Sequence, residues 1–201
     1  MSAARRLTLV DVAWPNAGFL ENALLIFAAS LLTGLAAQIA IPLPFTPVPV
    51  TGQTFAVLLT GAALGGRRGF LAQALYLMQG AGGLPVFAGG AAGAAYLLGP
   101  SGGYLVAFPF AAALTGFLAE RAWDRRFLAM FAVMLLGSTV IFALGALGLT
   151  RFFPPSQVIA AGVLPFVPGD LVKSALAALA LPGVWRLAAR GRHESERRST
   201  S

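Results

Sequence analysis

Long apolar runs without a charged side chain dominate the pattern of this chain. Three such runs cover residues 22–66, 69–119 and 127–150. A membrane-spanning helix needs about 20 predominantly apolar residues, so each of the first two runs is long enough for more than one crossing. The pattern therefore predicts an all-α integral membrane protein in which residues 1–201 form a single membrane domain.

Proline, glycine and short polar clusters divide these runs into six predicted transmembrane helices. The prolines of PLPFTPVPVTG end the first helix and predict an extended or turn-rich connector, because proline cannot continue a helix. The predicted helices cover residues 20–41, Gln53–Leu64, 70–79, 104–119, Phe127–Leu149 and 168–187. They form a core, 20–187, between an interfacial N-terminal segment, 1–19, and a polar tail, 188–201. The second and third helices are short for a full crossing.

The segment 80–103 is apolar, but it is too rich in glycine for a stable ordinary helix. It holds nine of the 24 glycines of the chain. It is either a flexible outer loop or a re-entrant or capping loop. Irregular backbone at membrane depth is tolerated where protein covers it or where it lines a cavity. The second interpretation would bring backbone N–H and C=O groups close to a ligand.

The charged residues support the membrane assignment and indicate an orientation. Only 10% of the 201 residues are charged, against about 25% in a soluble domain, and the mean hydropathy is +0.80. Of the 14 Lys and Arg residues, 12 lie on one side of the predicted topology, leaving only Arg151 opposite and Lys173 within a span. Since Lys and Arg collect in cytoplasmic loops, both termini are predicted to be cytoplasmic. Such scattered clusters do not suggest a nucleic-acid partner.

The sequence contains no catalytic motif. There is no G-x-S-x-G, no H-E-x-x-H and no Walker lysine, and the only histidine, His193, lies in the polar tail. The absence of cysteine excludes disulfides and thiolate metal sites. We therefore expect a protein that is not an enzyme, has no metal or cofactor, and needs a partner ATPase for any active transport.

Asp170 and Lys173 lie three residues apart within an otherwise apolar stretch that begins a helix at Pro168. This spacing puts both side chains on one helix face. Ionisable groups at membrane depth are costly, so they normally face a protein interior or a cavity. They are interpreted as a niche for a small polar ligand; the alternatives are an internal ion pair that anchors the helix, or the base and nucleophile of an intramembrane enzyme.

Two further patterns allow two interpretations each. Gln53 begins the second helix at the same outer level as Asp170, where it either faces a ligand or caps its own helix. Ala29, Thr33 and Ala37 repeat at four-residue intervals on the first helix. Small residues at this spacing let another helix approach closely in lipid, which serves either internal packing or docking of a separate membrane protein.

Several stretches together resemble the BioY family, the biotin-binding S components of energy-coupling factor (ECF) transporters. They are AQIAIPLPFTPVPVTGQTFAVLLTGAALG, QALYLMQGAGGLPVFAGGAAGAAYLLGPSGGYLVAFPFAAALTGFLAER and PFVPGDLVKSALAA. They cover most of residues 37–178 in the order of the family. The combination of PVTGQT, GLPVFAGG, GPSGGY and PGDLVK carries the resemblance.

The resemblance implies a six-helix S-component fold that binds biotin near the extracytoplasmic side of a bacterial or archaeal cytoplasmic membrane. It implies that Asp170 and Lys173 contact biotin, and that the stripe of Ala29, Thr33 and Ala37 docks onto a membrane coupling protein driven by two cytoplasmic ATPases. The polar ureido ring suits a carboxylate together with an ammonium. The other candidate ligand contacts are Gln53, Phe87, Tyr96, Tyr104, Gly89 and Gly90.

The chain departs from the family pattern at residues 88–92, which contain only Ala and Gly. Any ligand contact there would have to come from the backbone. Alternatives to a biotin-specific S component are a stand-alone facilitator, an S component for another vitamin, an intramembrane enzyme and a structural scaffold.

Overall fold

The computed structural model describes residues 8–199, with side chains described for residues 8–185. The basic clusters at 5–6 and 186–198, and His193, lie outside the described side chains. The described chain is mainly helical. Its helices are α1 Leu9–Ala13, α2 Phe19–Gln38, α3 Gln53–Leu64, α4 Gly66–Ala81, α5 Ala94–Leu97, α6 Gly102–Ala119, α7 Phe127–Leu149, α8 Pro155–Gly162 and α9 Val167–Ser199.

Four helices in the described part are long and apolar enough to cross a membrane. They are α2, α6, α7 and the portion Val167–Trp185 of α9. Helix α3 is apolar but has only 12 residues, and α4 carries two arginines in its first turn. The chain is therefore a multi-pass membrane protein. Of the six predicted crossings, the length and composition of the described helices support four.

The proline-rich connector forms a β-hairpin, which corrects the expectation of an entirely helical fold. Strand β1, Ala40–Leu43, pairs antiparallel with β2, Thr46–Thr51. Ala40 lies opposite Thr51, and the pairing is irregular between Ile41 and Leu43. Proline cannot donate to a ladder and is tolerated on edge strands. Both strands of a two-stranded sheet are edges, so the four prolines of the connector are compatible with it.

Helix α6 lies at the centre of the bundle and packs against α3, α4 and α7. Glycines allow the closest approaches between the main chains of these helices. A Cβ at Gly61 of α3 would overlap the main chain at Ala112 of α6, and a Cβ at Gly116 of α6 would overlap the turn between α3 and α4. The core around these contacts is apolar and includes Val57, Leu58, Phe108 and Met134, all nearly or fully buried.

The glycine-rich segment is folded onto the bundle and packed by its own side chains. The N–H of Gly93 donates to the carbonyl of Gly80 at 2.7 Å, which closes the segment at its base. Phe87 is fully buried, and its ring lies where a Cβ at Gly80 would have to be. These contacts favour the capping-loop interpretation over a flexible outer loop.

A polar cluster joins α1, α2 and α4 at the end of the bundle where α3 turns into α4. Arg68 forms a salt bridge with Asp11 at 2.7 Å, and its Nε donates to Asn22 at 2.6 Å. Thr8 caps α1 and donates to Asp11. The basic turn GGRRG therefore has local partners, in agreement with a position at a polar membrane boundary rather than within the core.

Candidate ligand-binding site

A partly enclosed cavity lies among the β-hairpin, the start of α3, the glycine-rich segment, α6, α7 and the start of α9. Its wall is mostly apolar and aromatic, with a small group of polar side chains. This is the usual composition of a small-molecule site. The lining residues are Val48, Pro49, Val50, Thr51, Gln53, Thr54, Ala88, Tyr96, Ser101, Tyr104, Leu105, Phe108, Ile141, Phe142, Phe166, Asp170 and Lys173.

Asp170 is held in this wall by the first turn of α9. Its backbone N–H donates to the carbonyl of Phe166 at 2.9 Å, and its side chain is 7% exposed. The Oδ1 atom accepts a hydrogen bond from the Ser138 hydroxyl of α7 at 2.6 Å. No hydrogen bond to Oδ2 is found within residues 8–185. The second carboxylate oxygen can therefore accept a ligand N–H.

Lys173 lies on the same side of α9 but has partners of its own. Its Nζ donates to the main-chain carbonyl of Thr51 at 2.7 Å and to the Thr54 hydroxyl at 3.1 Å. Across the described side chains, the only salt bridge is that between Arg68 and Asp11. Asp170 and Lys173 thus face one cavity without a direct ion pair, and this arrangement supports a shared ligand more than the internal ion-pair alternative.

Gln53 lines the cavity and connects three elements. Its amide nitrogen donates to the hydroxyl of Tyr76 on α4, and its amide oxygen accepts from the Thr51 hydroxyl at 2.9 Å. Tyr76 in turn donates to the carbonyl of Val86 at 3.0 Å. The side chain of Gln53 makes no hydrogen bond to the backbone of its own helix, so its main contacts are with the cavity wall and with α4.

The predicted aromatic residues take different positions. Tyr96 and Tyr104 line the cavity, and the Tyr104 hydroxyl donates to the carbonyl of Gly162 at 2.7 Å. Phe87 lies behind this wall: its ring is stacked on Tyr96 with centroids 5.1 Å apart and meets Tyr76 edge-on. Phe87 therefore supports the wall rather than forming its surface.

Gly89 and Gly90 lie outside the cavity lining. Both are exposed and have positive φ angles, 64° and 78°, in the short 3-10 turn Ala88–Gly90. The neighbouring Ala88 lines the cavity instead. In this arrangement the turn reaches the cavity through Ala88, and the two glycines give the turn its conformation.

Sequence reasoning missed Thr51, Thr54 and Ser138, which position the two charged groups. Hydroxyl residues in apolar helices often bond only to their own helix, as Thr115 does to Ala111. They therefore give a weak signal. Ser138 and its neighbour Thr139 are the only hydroxyl residues within α7, one of the most apolar helices of the chain, and this is the one feature that could have drawn attention to Ser138.

The small-residue stripe of α2 is packed inside the protein. Ala29 is 7% exposed, and Thr33 and Ala37 are fully buried. The Thr33 hydroxyl accepts a hydrogen bond from Gln73 of α4 at 3.1 Å. Of the two interpretations, the structure therefore shows internal packing against α4. Direct docking of a partner on these three side chains, as predicted, would require α2 to move away from α4.

The described side chains contain no group of three or more His, Cys, Asp or Glu residues that could hold a metal ion. The polar groups of the cavity are instead one carboxylate, one ammonium, one amide and several hydroxyls. These side chains include both hydrogen-bond donors and acceptors. They can therefore bind a neutral polar ring that itself carries both donors and an acceptor.

Comparison with known proteins agrees with the resemblance noted in the sequence. The model of the BioY family matches residues 6–190. The chain is 43% identical to the biotin transporter BioY of Thermotoga maritima over 155 residues, which cover 77% of this chain and 88% of the relative. It is 36% identical to the biotin transporter BioY of Rhizobium etli over 166 residues, covering 75% and 85% of the two chains.

A solved structure has the same fold. It is the S-component for biotin from an ECF-type ABC transporter, which is 28% identical to this chain. The superposition has a TM-score of 0.74 and covers 83% of this chain and 92% of the other. The described bundle therefore has the architecture of that S component.

Proposed function

The chain belongs to the BioY family, and on this premise we propose that it is the biotin-binding S component of an ECF-type ABC transporter. The family comprises transporter components and not enzymes. The observation that carries the proposal is the partly enclosed cavity in which Asp170 and Lys173 lie together without pairing to each other.

The polar groups of the cavity match the ureido ring of biotin. That ring offers two N–H donors and one carbonyl acceptor. Oδ2 of Asp170 can accept one N–H, and the Lys173 ammonium can donate to the carbonyl. Charge-assisted hydrogen bonds of this kind are about twice as strong as neutral ones. Gln53 is proposed as a further contact, since its amide lies in the same wall.

The aromatic wall suits the remainder of the ligand. Tyr96 and Tyr104, with Phe108, Phe142 and Phe166, surround the cavity with apolar surface for the thiophane ring and the valeryl chain. Phe87 is proposed to act by supporting Tyr96. For Gly89 and Gly90, a direct backbone contact with biotin stays a prediction, and their exposed positions would require the turn to close further over the ligand.

We also propose the number of membrane crossings and the orientation of the helices in the membrane. In this proposal α3 and α4 complete a six-helix bundle with α2, α6, α7 and α9, in a single membrane domain whose core is residues 20–187. The termini face the cytoplasm and the cavity faces the outside of a bacterial or archaeal cytoplasmic membrane. The distribution of Lys and Arg supports this orientation.

The proposed partners are a membrane coupling protein, the T component, and two cytoplasmic ATPases. Their involvement rests on the match to the S-component for biotin from an ECF-type ABC transporter. Because α2 packs its small residues against α4, its outward face, with Leu24, Ala28 and Leu31, is the part of this helix that lipid or a partner can reach.

Titration calorimetry on the detergent-purified full chain tests the proposal. We expect one biotin per chain with a Kd in the nanomolar range, roughly −12 kcal/mol. Dethiobiotin should bind more weakly, because it keeps the ureido group but lacks the thiophane ring. Binding of a different vitamin in place of biotin would favour the alternative S component, and absence of any biotin binding would reject the assignment.

A separate experiment distinguishes an ECF subunit from a stand-alone facilitator. Tagged protein is purified from its native membrane, and co-purifying proteins are identified. Recovery of a membrane protein together with ATPase subunits supports the proposed partners. Biotin uptake by reconstituted vesicles that contain this chain alone would support the facilitator.

A further inference from the structure

We propose that Ser138 is a positioning residue that fixes the carboxylate of Asp170 for ligand binding, an inference that rests on the proposed biotin-binding function. Ser138 is on α7 and Asp170 is at the start of α9, so the hydrogen bond at 2.6 Å joins two helices. Ser138 is 3% exposed and does not line the cavity, whereas Asp170 does. Ser138 therefore does not touch a ligand in the cavity directly, and its hydrogen bond connects it to the cavity through Asp170.

The Ser138 hydroxyl gives the two carboxylate oxygens of Asp170 different roles. A carboxylate with both oxygens free could rotate and present either one to the cavity. With Oδ1 bonded to Ser138, the plane of the carboxylate is fixed and Oδ2 is the oxygen left for a ligand N–H. Hydrogen bonds to a charged group are stronger than those between neutral groups, so this restraint is strong in the partly enclosed site.

The position of the Ser138 hydroxyl is itself set by tight helix packing. The preceding residue, Gly137, lies against α3 and α6 so closely that a Cβ there would overlap Leu58 and lie 2.7 Å from the methyl group of Thr115. Helix α7 cannot slide at this level without losing these contacts. The hydrogen bond thus connects the charged residue of α9 to a rigid part of the core.

The ammonium is positioned independently of this connection. Lys173 is held by the carbonyl of Thr51 and the hydroxyl of Thr54, at the junction of the hairpin and α3. The acceptor and the donor for the ligand are therefore fixed by different parts of the fold. Loss of the Ser138 hydroxyl should disturb the position of the acceptor, Asp170, and leave the position of the donor, Lys173, unchanged.

The test compares Ser138→Ala with Thr139→Ala in the full-length protein. Thr139 is the next residue on α7, is exposed, and donates only to the carbonyl of Leu135 in its own helix at 2.8 Å. By calorimetry, Ser138→Ala should weaken biotin binding by about ten- to hundredfold. Thr139→Ala should stay within about twofold of the wild type, as surface changes usually do.

A double-mutant cycle separates positioning from a general structural effect. In an Asp170→Ala background, adding Ser138→Ala should change affinity by less than about threefold, because the side chain that Ser138 positions is already absent. The unfolding temperature without biotin is measured for each variant. If Ser138→Ala does not fold, Ser138→Cys replaces it, since the thiol is a weaker donor. The affinity of Ser138→Cys should be lower than that of the wild type, by less than the ten- to hundredfold loss expected for Ser138→Ala.

Two results would overturn the inference while leaving the proposed function intact: wild-type biotin affinity in Ser138→Ala, or an equal loss in both backgrounds. Absence of biotin binding by the wild type would instead reject the proposed function, and the positioning role with it.

Discussion

The Nζ atom of Lys173 lies 2.7 Å from the main-chain carbonyl oxygen of Thr51, the last residue of β2. The two residues are 122 positions apart in the chain. Through this contact a charged group of α9 holds the end of the hairpin beside the cavity. The same ammonium is the proposed donor to the ligand carbonyl. Ligand binding and hairpin position are therefore connected through one side chain.

Removing either charge should weaken biotin binding severely. Asp170→Asn and Lys173→Met each remove one charge-assisted hydrogen bond to the ligand and leave a ligand group unpaired in the cavity, which costs about 1–3 kcal/mol and more where a charged group is involved. We expect affinity to fall by at least two orders of magnitude in each variant, measured by calorimetry. Normal binding by either variant would show that the ligand binds elsewhere.

The two variants should differ in their effect on the hairpin. Of the two charged residues, only Lys173 bonds to Thr51, so amide hydrogen exchange in residues 40–51 should increase in Lys173→Met and remain near wild type in Asp170→Asn. The Asp170 variant is thus the control for general destabilisation of the start of α9. Equal exchange in both variants would contradict the proposed connection between Lys173 and the hairpin.

The sequence predicted the large helices well, because their limits are set by local chemistry. The predicted bounds of α3 and α7 agree with the structure. Glycine follows α3, and charged residues precede α7. The shorter elements were not predicted. Helix α8 follows Phe153-Pro154 and is held by the bond between Gly162 and the Tyr104 hydroxyl, a contact between residues 58 positions apart. Contacts between residues so far apart in the chain leave no pattern in the local sequence.

Within the cavity, the residues found in advance were those that are rare in an apolar chain. Asp170, Lys173 and Gln53 stand out by their polarity, Tyr96 by its position in a glycine-rich segment, and Tyr104 by its position directly after that segment. The stripe on α2 was ambiguous because close packing inside a bundle and docking of a partner need the same small residues. The structure shows the packing, in which the Gln73 amide bonds to Thr33, whereas docking of a partner on the stripe stays a prediction.

The packing of the stripe can be tested with a pair of tryptophan variants. Thr33 is fully buried and bonded to Gln73, whereas Ala28 is exposed on the opposite side of the same helix. Thr33→Trp should lower the unfolding temperature strongly or prevent folding, since overpacking costs about 1–3 kcal/mol or more. Ala28→Trp should leave stability and biotin affinity nearly unchanged.

The same two variants also test whether α2 docks onto the coupling protein. Pull-down of the ATPase-containing module should fail with Ala28→Trp if the outward face of α2 meets the coupling protein, and should persist if α2 contacts only lipid. A stable, biotin-binding Thr33→Trp variant that fails only in the pull-down would restore the docking role of the stripe.

A glycine on α7 should control the position of an aromatic wall residue. A Cβ at Gly145 would overlap the ring of Tyr104, which lines the cavity. Gly145→Ala should therefore destabilise the protein by about 1–3 kcal/mol and weaken biotin binding several-fold as the ring is displaced. The control is Gly183→Ala on α9, where a Cβ would have nothing within 4 Å. That change should be neutral or stabilise the helix by up to about 1 kcal/mol, as measured by thermal unfolding.

The salt bridge between Asp11 and Arg68 should make stability depend on acid pH. Burial alone would raise the pKa of Asp11, but hydrogen bonds from Arg68 and Thr8 and the guanidinium charge outweigh it and hold that pKa below its ordinary value. A carboxyl group whose pKa is lower in the folded than in the unfolded state stabilises the fold above the unfolded pKa, about 4. This contribution is lost as the pH falls below that value.

We therefore expect the unfolding temperature of the wild type to fall more steeply between about pH 5 and pH 3 than that of Asp11→Asn. Because both partners are about a quarter exposed, the difference should be no more than about 1 kcal/mol. Glu21→Gln is the control, since Glu21 is an exposed carboxylate in the first turn of α2. It should keep the wild-type slope. If Asp11→Asn also keeps that slope, the salt bridge contributes nothing to stability, and Arg68 is held at this end of the bundle by its bond to Asn22.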